Sequence, residues 1–259
     1  MRPPAPGQHR RSHGDGHPHP HRRGTDRVDV ARVLTVGGEM AGRIGAFDWG
    51  GTPLGAIQEW PISLRATAAM VLENRFPMTL FWGRELLLLY NDAYAAVLGD
   101  KHPAALGRPA SVVWAEIFPI IGPQVELVLS GKGATWNEHL LLPMERKGFL
   151  EETYFTFSYS PVRDDRSAIG GMLVTCQETT EQIQGERQLQ MLRNLGAETV
   201  AAESAEAACQ RAAGILGQNA ADIPFALLYL VRDGAAEAEL VATAGLDGYE
   251  GPGKPPRIA

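Results

Sequence analysis

The run LLLLYNDAYAAVLGDKHPAALGRP, Leu86 to Pro109, leaves this chain few choices of local structure. Leu86 to Tyr90 is an apolar strand that runs into Asn91-Asp92, residues whose short polar side chains favour turns and helix caps. A short helical patch, Ala93 to Leu98, follows and stops at Gly99, as a helix does when its last residue must turn left-handed. Gly107, eight positions on, marks a second such point. Asn91, Gly99 and Gly107 are therefore the structural anchors of the stretch.

The flanks predict strands on both sides. Phe76 to Trp82 reads as the strand before, with Gly83-Arg84 as the turn. Between Pro109 and Gly131 the apolar residues fall mostly at helical spacing, and Pro119 and Pro123 are expected to break or kink that region because each removes a donor. Thr135 to Met144 is the third strand, and Arg146-Lys147-Gly148 a turn. Thr153 to Ser160 then alternates, with Phe155, Phe157 and Tyr159 on one face and Tyr154, Thr156, Ser158 and Ser160 on the other. Pro161 to Ser167 is a turn, and Ile169 to Gln177 the last strand. The acid pairs Glu151-Glu152 and Asp164-Asp165 fall at these turns and read as solvated.

Two strands, short helices and a three-strand antiparallel run, with YND…G…LG, the aromatic strand FTFSYSP and the closing Glu178-Thr179-Thr180, resemble a PAS sensor domain over about 105 of 259 residues. The string TPLGAIQEWPISLRATAAMVL before it is similar to a lead-in of PAS domains in bacterial hybrid histidine kinases. It reads as an amphipathic helix from Ile62 to Leu72 with Ile62, Ala66, Ala69, Met70 and Leu72 on one face. The resemblance implies a five-stranded antiparallel sheet wrapped over helices, with a pocket between them. Trp114, Phe118, Phe155 and Phe157 are the candidates for its wall, although a packed core needs the same residues. The flavin-binding members use a cysteine on a central helix, and none lies between Gly99 and Gly133. Haem-binding members use a histidine of the long helix, and Pro103 to Leu129 has none. His102 and His139 lie elsewhere, so the occupant is unmarked: cofactor unknown, a small-molecule ligand possible in principle.

After Thr180 a helix is expected, with Thr179 as cap and Gln182 three residues later in capping-box position. Its Ile183, Leu189, Leu192 and Leu195 make a partial seam, suited either to a plain connector or to a homodimer, as the helix after a PAS domain commonly forms. A second amphipathic helix, Ala201 to Leu216, carries Cys209 on its apolar stripe. PFALLYLV and AELVATAGL, joined through Asp233-Gly234, read as a hairpin. Helix, DIPFALLYL and a strand ending in AGL resemble the first half of a GAF domain. The fold class is thus α+β: lead-in 41–75, PAS-like domain 76–180, linker helix 181–200 and a partial GAF-like unit 201–250. Residues 1–40, rich in Pro, Gly, Arg and His, read as a disordered tail, and 251–259 as another. The five histidines of the first (His9, His13, His17, His19, His21) read as low complexity rather than a metal site, and Met40 is a second possible start.

A net charge of −6 argues against nucleic acid as a partner. Two cysteines and no membrane-length apolar run suit a cytoplasmic protein. No phosphoacceptor helix, ATP-binding loop, catalytic triad or metal-ligand pattern is visible, so no catalytic residue is named and the chain is not expected to be an enzyme itself. The reading is a sensory module, PAS plus partial GAF, of a two-component sensor histidine kinase. A stand-alone PAS adaptor and the front end of a diguanylate cyclase-type enzyme are the alternatives.

Overall fold

The computed structural model describes residues 38–249 and 251–258. The tail as far as residue 37, its five histidines included, lies outside them, as does Ala259.

Four elements come first: helix α1 (Glu39–Ala46), two single 3-10 turns, and helix α2 (Ile62–Glu73). Strands β1 (Met78–Trp82) and β2 (Leu87–Tyr90) follow, then α3 (Asp92–Leu98), α4 (Ala110–Val113) and α5 (Phe118–Leu129). Strands β3 (Thr135–Glu145), β4 (Leu150–Arg163) and β5 (Ile169–Glu178) complete a five-stranded antiparallel sheet of order β2-β1-β5-β4-β3. This is the α+β architecture the residue pattern predicts.

Register fixes which side chains face inward. Phe155 lies opposite Leu140, and Phe157 opposite Asn137 on one side and Cys176 on the other. Tyr159 pairs with Val174, so this row of aromatics lies over α3 to α5. Leu80 and Leu89, opposite each other, alternate to the far face, where α2 packs on β1 and β2. The helix does so through Leu64, Ala68, Val71 and Leu72. That stripe differs from the predicted one: Ile62, Ala66 and Met70 are exposed. The spacing i, i+4, i+7, i+8 of the buried four makes one continuous face, whereas the predicted set straddles two.

Four further expectations change. Met40, placed in the tail by its surroundings, is buried within α1, and its N–H donates to Asp92 Oδ1 at 2.7 Å. Pro123 does not break α5: Pro119 occupies the first turn, where no donor is needed, and the helix runs on with Pro123 inside it. Strand β4 is longer than its alternating centre, and Glu151-Glu152 lie within it rather than at a turn. Asp165 is not simply solvated, because its carboxylate accepts from Ile62 N and Ser63 N (2.9 and 2.8 Å) and so caps α2 from the β4–β5 turn. Those backbone bonds, Ser63's foremost, hold the Asp165 carboxyl below its ordinary range.

Beyond β5, helix α6 (Thr180–Val200) leads to α7 (Ala205–Gly217) and a three-stranded sheet of order β6-β7-β8 (Ala226–Val231, Ala238–Ala244, Arg257–Ile258). Helix α7 starts four residues later than its apolar pattern suggests, because the Ser204 hydroxyl accepts from Ala207 N–H and sets the cap there. Arg257–Ile258, in the stretch read as an unstructured tail, pairs with Glu239 and Ala238.

Candidate functional site

The three anchors each have a physical task. Asn91, buried at the end of β2, accepts from Met78 N and Tyr94 N through Oδ1 (3.1 and 3.0 Å). Its Nδ2 donates to Asn74 O and Phe76 O (2.9 and 2.7 Å). One amide thus caps α3 and ties the end of α2 and the start of β1 to it. Gly99, at φ 56°, ends α3 where a Cβ would lie 2.6 Å from Arg146 O. Gly107, at φ 69°, passes so close to the Phe47 ring that a Cβ would meet it at 2.7 Å. Both need a left-handed backbone and no side chain.

Between the sheet and the helices lies a cavity of about 30 Å³. Trp114, Phe155 and Phe157 line it with Tyr94, Tyr159 and Cys176. Three of the four predicted wall residues therefore come together. Phe118 does not: it sits half-buried at the start of α5, where its ring covers Gly122 rather than the cavity. The volume is about that of a single water, against the several hundred Å³ of a ligand site. Burial pushes the Cys176 thiol up to about 12 and raises the Tyr94 and Tyr159 phenols, so all three stay neutral at physiological pH.

The polar centre of the domain lies at the exit from the sheet. Arg146, buried at the end of β3, donates from Nε and Nη2 to Glu151 (3.3 and 3.1 Å) and from Nη1 and Nη2 to Glu178 (2.8 and 3.2 Å). Burial alone would draw its pKa down, but the two carboxylates outweigh it and hold it above its usual range. Burial likewise pushes Glu151 up and is outweighed by Arg146, leaving Glu151 below the ordinary carboxylate range. Glu178 is the last residue of β5, two positions before α6. The junction is stitched further by Thr179 N to Tyr154 O (2.8 Å) and Tyr154 N to Thr180 Oγ1 (3.0 Å). Thr179 does not form the predicted side-chain cap, because its Oγ1 is engaged by His139 Nδ1 at 3.0 Å. His139, at φ 50°, sits where the β3–β4 register shifts. A bulge that re-aims one side chain in this way leaves no trace in the hydrophobic alternation.

Two clefts of about 520 and 530 Å³ flank Arg146, the first toward Lys101, Arg108 and Glu116, the second toward Lys147 and the start of α6. Among the described residues no group of three or more His, Cys, Asp or Glu gathers as metal ligands, and no helix is long and apolar enough to cross a membrane. Net charge belongs to the whole chain and does not exclude nucleic acid from a local face.

Residues 78–184 match the family described as the PAS fold. That stretch is a PAS-fold domain, with the sheet order and inner helices described above as its frame. No curated protein matches the chain. Among solved structures, it is similar to an RNA-binding light-oxygen-voltage receptor at 18% identity and TM-score 0.38, over 52% of this chain and 38% of that one. It thus spans well under half the length of that receptor. A PAS domain from Colwellia psychrerythraea is 14% identical over 46% of this chain and 98% of its own, at TM-score 0.36. The PAS domain of Bordetella pertussis BvgS is 16% identical over 50% and 96%, at TM-score 0.32. The family match ends at residue 184 and does not extend to α7 or the second sheet.

Proposed function

We propose that the chain is the sensory front of a bacterial two-component signalling protein, with a histidine kinase as the parent. In this reading the PAS-fold domain receives the signal, α6 carries it out, and α7 with β6 to β8 is the opening of a GAF-like domain that receives it. The observation that carries the reading is the junction: Glu178, at the end of the sensor sheet, is held by buried Arg146 and leads within two residues into a 21-residue helix. Leu189 and Leu192 of that helix are more than half exposed and three residues apart, a seam open to a second copy. By itself the chain catalyses nothing in this reading.

The filled interior favours one variant of it. With about 30 Å³ free, the domain holds no ligand of ordinary size in this conformation, which suits an interaction module that signals through its surface. Native mass spectrometry of the purified chain separates the two. A bound small molecule supports the receptor, a ligand-free dimer the interaction module, and a ligand-free monomer at high concentration contradicts both. Stoichiometric histidine label from radioactive ATP would overturn the absence of kinase chemistry.

A further inference from the structure

Glu151 and Glu152 are neighbours on a strand, so their side chains leave opposite faces of the sheet. Glu151 holds Arg146 at the exit. Glu152 holds Arg187, which stands seven residues into α6, about two turns along it. Arg187 donates from Nη1 and Nη2 to Glu152 (2.7 and 3.1 Å) and from Nε and Nη2 to Asp222 (2.7 and 2.6 Å). Asp222 belongs to the loop between α7 and β6, in the C-terminal unit. Four of the five guanidinium donors are thus spent on two carboxylates, one from each unit. Among the described residues these are the hydrogen bonds that link residues 38–178 to residues 201–258, and they do so through one side chain on the helix between.

The stretch of β4 that carries Glu152 is paired on one side only. Strand β5 ends at Glu178, opposite Phe155, and Thr179 and Thr180 hold Tyr154 just beyond it, so Leu150 to Thr153 overhang the sheet and pair with β3 alone. A displacement of that overhang moves Glu152 without breaking the β4–β5 ladder. The Arg187 hydrogen bond, with the Tyr154 hydroxyl behind it, holds Glu152 below the ordinary carboxylate range, so the Glu152–Arg187 pair is charged at neutral pH.

We propose that Arg187 is the positioning residue that couples the sensor sheet to the C-terminal unit, setting the orientation of one on the other through Glu152 and Asp222. The proposal rests on α6 being the output helix. A bidentate fork at each carboxylate fixes direction as well as distance, which a lysine in the same place cannot do.

The test uses the full chain and residual dipolar couplings, which report the orientation of each unit separately. In the native chain one alignment tensor should fit residues 38–184 and 205–246. Arg187→Gln should split it into two, with Arg187→Lys in between and each unit's own couplings still fitting its fold. Glu152→Gln should shift the amide resonances of Asn219 to Ile223 in the native background and leave them unmoved in the Arg187→Gln background. A single tensor surviving Arg187→Gln, or resonances at 219–223 indifferent to Glu152→Gln, would overturn the proposal. Should Arg187→Gln fail to fold, Asp222→Asn removes the same link from the other side and must also split the tensor. The clamp can stand while the sensory reading fails in the mass spectrometer, and the reverse, so the two failures are distinct.

Discussion

The two folded units bury very different things. In residues 38–184 the fully buried side chains include Trp49, Trp114, Tyr90, Phe81 and Phe155, and both faces of the β1–β2 half of the sheet are covered. In residues 201–258 the buried residues are Ala212, Ala213, Ile215, Ala238 and Ala244. No residue of β6 is buried, Val231 is 68% exposed and Phe225, just before the strand, 59%. A sheet with one helix on it is a single layer on a single layer, and a strand such as ALLYLV then keeps apolar surface and an open edge. Apolar strands alone do not make a core; the closing layers do.

That contrast can be broken most directly by truncation. Phe155→Ala should destabilise the first unit by about 3–5 kcal/mol, because a buried ring leaves a cavity that its close-packed neighbours cannot fill. The matching change in the second, Ile215→Ala, should cost under about 2 kcal/mol, since a thin layer relaxes around the loss. Urea melts followed at Trp114 and by second-unit amides would report the two. Equal losses would mean that the units share one core.

Replacing Asn91 with Ala orphans Met78 N, Asn74 O and Phe76 O, while Tyr94 N keeps the Asn91 backbone carbonyl, and should cost about 2–4 kcal/mol, with m unchanged in the same melts. Gly107→Ala meets both a left-handed backbone and the Phe47 ring, and should cost about 1–2 kcal/mol, read as a lower melting temperature.

A smaller effect concerns pH. Glu151 has a depressed pKa in the folded state, so its stabilisation is present above its unfolded value and is lost as pH falls through the folded one. We expect the junction at Glu178 to loosen only in acid below the ordinary carboxylate range, seen as faster amide exchange at Tyr154 and Thr179. Loosening already between pH 6 and 7 would contradict this assignment to Glu151.

Much of the first unit can be read from its residues, because the signals there are local. Phe155, Phe157 and Tyr159 alternate, Asn91 caps the helix that follows it, and Gly99 and Gly107 stand where no side chain fits. What escaped the reading is non-local. Nothing near Glu152 announces that its partner is Arg187, 35 residues on, or that Arg187 reaches another 35 to Asp222. The α1 helix hides in a Gly-rich stretch because Asp92, 52 residues away, supplies its N-terminal contact. The pocket wall shows the same limit: periodicity placed Trp114, Phe155 and Phe157 inward, but only packing tells that they fill the space and that Phe118 stands aside.

Hydrogen exchange on the full chain tests the contrast at its root. Amides of Leu80, Phe157 and Val174, in the paired centre of the first sheet, should exchange only through global unfolding. Those of Leu228 and Leu230 should exchange through a separate and much easier opening, faster by about two orders of magnitude or more. Equal protection of the two sheets in a dilute monomer would contradict the account.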